Sequence, residues 1–183
     1  YKSVYDYTAP SVPGGLFATA VSSSQINLSW EASTDDVGVT GYNIYRDGSF
    51  LNSTSTNSFQ DTGLSSGTLY IYEVSAYDAA GNESARSNMA SALTTDTTPP
   101  VIESITATPG MTAAGFPIEI AVVALDNVGI SNVSSPGIMF TQGDDEVWTG
   151  TVTADSELGV HTVEVTAADA AGNSTTSSTS YTT

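Results

Sequence analysis

The chain has 183 residues, and 39% of them are hydrophobic, which is enough for one large or two small packed domains. Three Lys and Arg residues face 20 Asp and Glu residues, so the net charge of −17 repels nucleic-acid phosphates and anionic lipid. With no Cys and one histidine, His161, the sequence offers no thiolate zinc site, disulfide or cysteine nucleophile. We therefore expect neither nucleic acid nor a membrane surface as a partner.

The chain starts at Tyr1-Lys2-Ser3, which shows neither an initiator methionine nor a signal peptide. Its apolar runs stay well below the roughly 18 residues of a membrane span. We therefore expect a piece of a longer protein, without membrane insertion. Residues 1–10 are interpreted as the tail and linker of a preceding domain.

Apolar residues alternate with polar ones along the chain, and no stretch has a convincing helical period. The alternation is clear at 25–30 and 70–76 in the first half and at 118–122 and 161–167 in the second. Short strands with turn residues about every eight to twelve positions predict an all-β chain built from β-sandwiches. In the segment 70–76, the pattern places Tyr70, Tyr72, Val74 and Ala76 inward and Ile71, Glu73 and Ser75 outward.

Two motifs recur at the same spacing, which indicates an internal repeat. The motif Asp-Asp-Val-Gly-Val at 35–39 returns as Asp-Asn-Val-Gly-Ile at 126–130, and Asp-Ala-Ala-Gly-Asn at 78–82 returns unchanged at 169–173. Both offsets are 91 residues. An Asp-Thr-Thr-Pro-Pro segment precedes the second copy, and its two prolines prevent a strand from continuing through it. The sequence therefore predicts domains at 11–95 and 101–183, joined by a linker at 96–100.

The first domain carries residues typical of a known family. Pro10 and Pro13 lead into the first strand, Trp30 ends the second, and Tyr70 follows a Leu-Ser-Ser-Gly-Thr-Leu turn. On these residues the segment 11–95 resembles a fibronectin type III domain, which implies a core tryptophan and a corner tyrosine whose hydroxyl bonds the backbone. The amino-acid sequences of the repeated motifs are similar to those in type III modules of secreted bacterial polysaccharide-degrading enzymes.

The second domain, residues 101–183, resembles the broader class of bacterial immunoglobulin-like domains. The segments 146–152 and 159–165 look like its strands E and F. No tryptophan ends its second strand, and His161 stands at the position of the corner tyrosine. We expect Trp148 to supply the missing core bulk. We expect His161 to bond the backbone, as the tyrosine does, instead of acting as a base or metal ligand.

The repeated acidic motifs predict a metal site. In a sandwich of this kind, the two loops that carry the motifs share one pole with the incoming linker. Crowded carboxylates in so acidic a chain favour a hard cation with oxygen ligands, so calcium is the candidate cofactor, although the fold requires none. The expected ligands are Asp96, Asp126, Asn127, Asp169 and Asn173 in the second domain and, as a secondary set, Asp6, Asp35, Asp36, Asp78 and Asn82 in the first. Turn formation alone is the alternative role of these motifs, and the two roles are compatible.

Two tyrosines raise the question of sugar binding. Tyr45 points away from Tyr42 and Ile44, and Tyr77 points away from Ala76, so both are expected on the outer face of one sheet. Cross-strand stabilisation of the sheet is the alternative role for them. No carboxylate pair lies among residues that would raise a pKa, so we predict no catalytic site.

These patterns together predict non-catalytic accessory or spacer modules of a larger secreted or cell-surface prokaryotic protein. The modules would position a polysaccharide-active or adhesive domain and would be rigidified by interdomain calcium. A carbohydrate-binding module and an adhesin fragment that binds a protein receptor are the alternatives. The expected partners are neighbouring modules of the same polypeptide and polysaccharide, and the chain is expected to be a monomer.

Overall fold

The computed structural model describes residues 6–144 and 146–183, so residues 1–5 of the expected N-terminal tail lie outside the described part of the chain. The described residues form fourteen β-strands and no helix, which confirms the all-β prediction. They contain no helix of the length and apolarity that a membrane crossing requires. The chain divides into two compact units between Asp96 and Thr97.

The first unit contains seven strands in two antiparallel sheets. One sheet has the order β1-β2-β5, and the other has the order β4-β3-β6-β7. The strands are β1 (Phe17–Ala20), β2 (Gln25–Ser29), β3 (Val39–Arg46), β4 (Ser49–Thr54), β5 (Ser58–Thr62), β6 (Leu69–Asp78) and β7 (Ala90–Leu93).

The core of the first unit lies between the inner faces of the two sheets. Ile26 and Leu28 come from β2, and Tyr72 and Val74 come from β6, as the alternation predicts. Trp30 is buried and meets Tyr42 edge to face, with ring centroids 5.3 Å apart. Because aromatic rings attract in this geometry, the pair anchors the two sheets to each other.

Two polar contacts of the first unit fix its sheets. The hydroxyl of Tyr70 accepts a hydrogen bond from the backbone N–H of Ser65 at 3.0 Å, which is the expected tyrosine corner. Asp61 is buried, and its carboxylate accepts bonds from Arg46 at 2.9 Å and from the hydroxyl of Tyr72 at 2.8 Å. A buried charge is tolerated only when it is paired and hydrogen-bonded, and Asp61 is both.

Ser75 lies on the outer side of its strand, as the alternation predicts, but it is not exposed to solvent. It is fully buried, because the segment after β6 folds back over it. Glu83 in that segment accepts a hydrogen bond from the hydroxyl of Ser75. Alternation along one strand cannot predict that a segment outside the sheet packs over its outer face.

The second unit also contains seven strands in two antiparallel sheets, with the orders β11-β12-β9-β8 and β10-β13-β14. This four-plus-three arrangement is that of the constant-type immunoglobulin fold. The first unit differs because its fourth strand, β4, pairs with β3, whereas the fourth strand of the second unit, β11, pairs with β12. The strands are β8 (Val101–Thr108), β9 (Pro117–Leu125), β10 (Ile130–Ser134), β11 (Thr141–Gln142), β12 (Val147–Thr153), β13 (Val160–Asp169) and β14 (Ser174–Thr182).

The core of the second unit is filled as its sequence predicts. Ile118, Ile120 and Val122 of β9 are fully buried together with residues of β13. Trp148 is 8% exposed and belongs to this core, so it supplies the bulk that Trp30 gives the first unit. His161 stacks on Tyr181, and its Nε2 lies 2.8 Å from the carbonyl oxygen of Glu157, a bond to backbone like that of the corner tyrosine.

Candidate functional site

Strand pairing brings the two repeated motifs of each unit to one end of a sheet. The first motif precedes β3 and the second follows β6, and these strands are antiparallel neighbours in which Val39 pairs with Asp78. In the second unit β10 and β13 are related in the same way, and Ile130 pairs with Asp169. The end of one strand therefore meets the start of its neighbour, and the two acidic loops lie side by side in each unit.

The aspartate of the first motif closes its own loop. Oδ2 of Asp35 accepts hydrogen bonds from the backbone N–H groups of Val37 at 3.0 Å and Gly38 at 2.8 Å. Such a bond from an aspartate to the backbone just ahead is a common turn-forming device. Gly38 has a φ of 145°, a conformation that side chains other than glycine's disfavour.

The second copy of this loop repeats the arrangement. Oδ1 of Asp126 accepts bonds from the backbone N–H groups of Val128 at 2.9 Å and Gly129 at 3.0 Å. Gly129 has a φ of 117°. The turn role of the first motif is therefore present in both units.

Each of these two aspartates has one oxygen that the turn does not use. Oδ1 of Asp35 and Oδ2 of Asp126 are buried, and neither has a hydrogen-bond partner among residues 6–144 and 146–183. Buried carboxylate oxygens are normally hydrogen-bonded or paired with a cation, since desolvation of a charge is costly. A buried carboxylate oxygen without a hydrogen-bond partner among the described residues therefore occurs in both copies of this loop.

The aspartate of the second motif is held by the asparagine that ends the motif. Asp169 is buried; its Oδ1 accepts the backbone N–H of Asn173 at 2.9 Å, and its Oδ2 accepts the side-chain amide of Asn173 at 2.7 Å. Asp78 and Asn82 make the same two bonds at 2.8 Å and 2.7 Å. The repeat therefore conserves a complete loop, with both donors supplied by one residue.

These bonds set the charge state of the loop. Burial raises the pKa of the Asp169 carboxyl, but the bonds from Asn173 and from the backbone N–H groups of Gly172 and Ala171 outweigh it and hold the pKa below its ordinary value. Asp78 has its pKa lowered by the same balance of causes, with Asn82 as the main donor. Both aspartates are therefore carboxylates at neutral pH.

In the first unit the loops bring three of the expected ligands together. Asp6, Asp35 and Asp36 each have a carboxylate oxygen, and these three oxygens lie within 4.8 Å of one another. The amide of Asn82 donates to the backbone oxygen of Asp6 at 3.3 Å, so the second loop borders the group. Asp78 has both oxygens engaged by Asn82.

In the second unit the loops bring two of the expected ligands together. A carboxylate oxygen of Asp126 lies within 4.8 Å of one of Asp169. Asn127 is exposed in the same loop as Asp126, and the amide nitrogen of Asn173 is bonded to Asp169. Asp96 ends the first unit, where it accepts a bond from the hydroxyl of Ser66 at 3.0 Å. A site that joins Asp96 to the second unit stays a prediction.

The two candidate sugar-binding tyrosines both have structural contacts. The guanidinium carbon of Arg86 lies 3.6 Å from the ring centroid of Tyr45, so one ring face of Tyr45 is covered. Tyr77 lies across Gly41 on the neighbouring strand, where an added Cβ would come within 2.6 Å of the tyrosine Oη. Both contacts fit the alternative role of stabilising the sheet, and sugar binding by these residues stays a prediction.

Sequence reasoning missed the cluster around Glu83. Its Oε1 accepts bonds from Asn43 at 3.0 Å, from Tyr45 at 2.8 Å and from Ser75. The bonds from Ser75 and Asn43 are the main cause of a lowered Glu83 pKa. The residues of the cluster lie far apart in the chain, and the only sequence signal was that Arg86, which covers Tyr45, is one of three Lys and Arg residues.

The Asn173 to Asp169 bonds yield a pH prediction. Because the pKa of Asp169 is lower in the folded chain than in the unfolded one, its stabilising effect is present at neutral pH and is lost as pH falls below about 4. In Asn173→Ala we expect the pKa of Asp169 to rise and the acid-dependent loss of stability in the second unit to shrink. Carboxyl ¹³C NMR titration of the wild type and the variant measures both pKa values.

Asp78 in the first unit is the internal control for this titration, since its partner Asn82 is unchanged in the variant. An Asp169 pKa that stays the same in Asn173→Ala would show that the loop bonds do not set its charge.

The family match lies within the first unit, whereas one of the similar proteins covers most of the chain. The model of the fibronectin type III domain matches residues 10–92. Chitinase A1 of Niallia circulans is 35% identical over 185 residues, which is 92% of this chain and 25% of that protein. Exoglucanase B of Cellulomonas fimi is 49% identical over 105 residues, which is 55% of this chain and 10% of that protein.

An α-amylase of Niallia circulans is 49% identical over 92 residues, which is 50% of this chain and 7% of that protein. The chain thus spans a quarter or less of the length of these three relatives. The first unit is therefore a fibronectin type III domain over residues 10–92, and larger proteins named as a chitinase and an exoglucanase are similar to this chain.

Proposed function

We propose that the two units are accessory modules that hold neighbouring domains of a larger extracellular polysaccharide-degrading enzyme at a set distance. One observation carries this proposal: the similarity to Chitinase A1 covers 92% of this chain but only 25% of that enzyme. Both units are β-sandwiches, and each has its own core of buried residues, so each can act as a rigid block. The net charge of −17 favours solubility outside the cell.

We further propose that calcium binds at the acidic loops and stiffens the modules. Two unit charges about 4 Å apart repel by about 1 kcal/mol in water and by about 4 kcal/mol at an effective dielectric constant of 20. One carboxylate oxygen each of Asp6, Asp35 and Asp36 lies within 4.8 Å of the other two, so repulsion of this order acts among them when all three are charged. The two arginines of the described chain do not relieve them, since Arg46 pairs with Asp61 and Arg86 pairs with Glu73.

Calcium fits this group because it takes six to eight oxygen ligands in a flexible geometry. Oδ1 of Asp35 is buried without a hydrogen-bond partner in the described chain, and Asp35 belongs to the group of three close carboxylates, so a cation would supply the missing partner. Loop carbonyls and water would complete the shell. In the second unit Asp126 and Asp169 would bind in the same way, with Asp96, Asn127 and Asn173 as the further ligands. A cation held by the loops and the incoming segment would restrict the motion of that segment.

Calcium should raise the stability of the full chain. A site saturated at a hundred times its Kd adds about 2.7 kcal/mol to the folded state. For a unit of this size, that raises the melting temperature by roughly 10 to 20 °C. Thermal unfolding in excess calcium and then in chelator measures the shift. Asp35→Asn keeps an oxygen for the turn but loses the charge, and we expect it to remove the shift of the first unit.

Glu103→Gln is the matched control, because it removes the same charge from an exposed position of β8 and should keep the full calcium shift. Identical melting with calcium and chelator would contradict the calcium proposal and leave the accessory role standing.

Stiffening by calcium predicts a narrower distribution of the distances between the two units. The chain has no native cysteine, so spin labels can be placed at Gln60→Cys and Ser178→Cys without background. Both residues are exposed, one in each unit. Pulsed electron paramagnetic resonance should show a narrower distance distribution in calcium than in chelator, and Asp96→Asn should abolish the narrowing. Equal widths in both buffers would contradict stiffening by calcium.

A further inference from the structure

A row of side chains crosses the outer face of the four-stranded sheet in the first unit. Phe50 of β4 pairs with Tyr45 of β3, and Tyr45 pairs with Glu73 of β6. The row lies toward the end of β3 that is remote from the aspartate loop, since that loop precedes Val39 and β3 ends at Arg46. It is therefore separate from the proposed calcium site.

The middle of this row is held rigid by its neighbours. Nη1 of Arg86 donates to Glu73 at 3.1 Å and to the carbonyl of Gly48 at 3.3 Å, which fixes the guanidinium over the ring of Tyr45. The hydroxyl of Tyr45 donates to Glu83 at 2.8 Å. The cation–π contact with Arg86 holds the ring of Tyr45, and the bond to Glu83 holds its hydroxyl, so the side chain has little freedom to move.

Phe50 at the end of the row is different, because it is 60% exposed. Its ring meets that of Tyr45 at 76°, with centroids 6.0 Å apart, so Tyr45 supports Phe50 along one side only. Covering an exposed phenylalanine ring with a ligand removes apolar surface from water, which favours binding. The exposed aromatic of this sheet is thus Phe50, not the tyrosines that alternation singles out.

Polar groups suited to a ligand surround Tyr45, the ring that contacts Phe50. The side chain of Arg86 is 40% exposed, and both of its contacts above use Nη1, so its other nitrogens keep N–H donors. Glu73 and Glu83 offer carboxylate oxygens as acceptors in the same cluster. An exposed ring flanked by fixed donors and acceptors matches a sugar, which has an apolar face of C–H groups and hydroxyls at its rim.

We propose that this row is a binding subsite for one pyranose ring of a neutral polysaccharide. Phe50 stacks on the apolar face of the ring, and Arg86 and Glu83 bond its hydroxyls. A polyanion is disfavoured because a chain with a net charge of −17 repels it. This inference goes beyond the spacer role: the first unit would also touch the substrate of the neighbouring catalytic domain.

The test is an NMR titration of the full chain with chitotetraose and with cellotetraose, carried out in chelator so that calcium plays no part. We expect saturable shifts at Phe50, Tyr45 and the Arg86 side chain with at least one of the two sugars. Phe50→Ala should weaken the binding about tenfold or more, because it removes the stacking surface. The variant should fold normally, since most of Phe50 is exposed.

Phe17→Ala is the matched control, because Phe17 is 65% exposed on β1 of the other sheet and should leave binding unchanged. Three outcomes would overturn the subsite: no saturable shift at about 10 mM of either sugar, which is ten times a millimolar Kd; equal binding by Phe50→Ala and wild type; or equal weakening by Phe17→Ala. None of these outcomes bears on the spacer role, which is measured separately by the distances between the units.

Discussion

One hydrogen-bonded turn organises the acidic pole of each unit: an aspartate carboxylate that accepts the backbone N–H groups two and three residues ahead. Asp35 and Asp126 make this turn with nearly identical distances. Because the turn uses one oxygen, the other is directed into the loop, where it is buried without a hydrogen-bond partner in the described chain. The turn therefore leaves one carboxylate oxygen of the same side chain available, so turn formation is compatible with the proposed metal binding.

The repeat preserves this pole although the sheets around it differ. The fourth strand joins β3 in the first unit and β12 in the second, so the two sandwiches share a pole but not a sheet pattern. The acidic loops depend only on the pairing of β3 with β6 and of β10 with β13. The different position of the fourth strand leaves both pairings intact. Moving the fourth strand also places Phe50 beside Tyr45, on a face for which the second unit has no equivalent strand. The acidic loops that both units share fit a structural role common to the two units. The outer sheet faces differ between the units, so each face fits contacts with a different ligand.

The sequence predicted the parts of the structure that depend on local order. Alternation identified the inward residues of β2, β6, β9 and β13, because successive side chains of a strand point to opposite faces of the sheet. The repeat identified the acidic loops. The sequence did not predict the burial of Ser75 or the covering of Tyr45. Both depend on the segment around Glu83 and Arg86, which lies outside the strand it covers. The orphan oxygens were also beyond reach, since burial of a single atom depends on the packing of the whole loop.

A crystal structure of the chain grown with calcium would show whether the buried Oδ1 of Asp35 takes a cation, as we propose. We expect density for a cation about 2.3 to 2.6 Å from Oδ1 of Asp35, with oxygens of Asp6 and Asp36 in the same shell and the turn bonds to Oδ2 unchanged. An N–H or O–H donor on that oxygen, with no cation nearby, would contradict it.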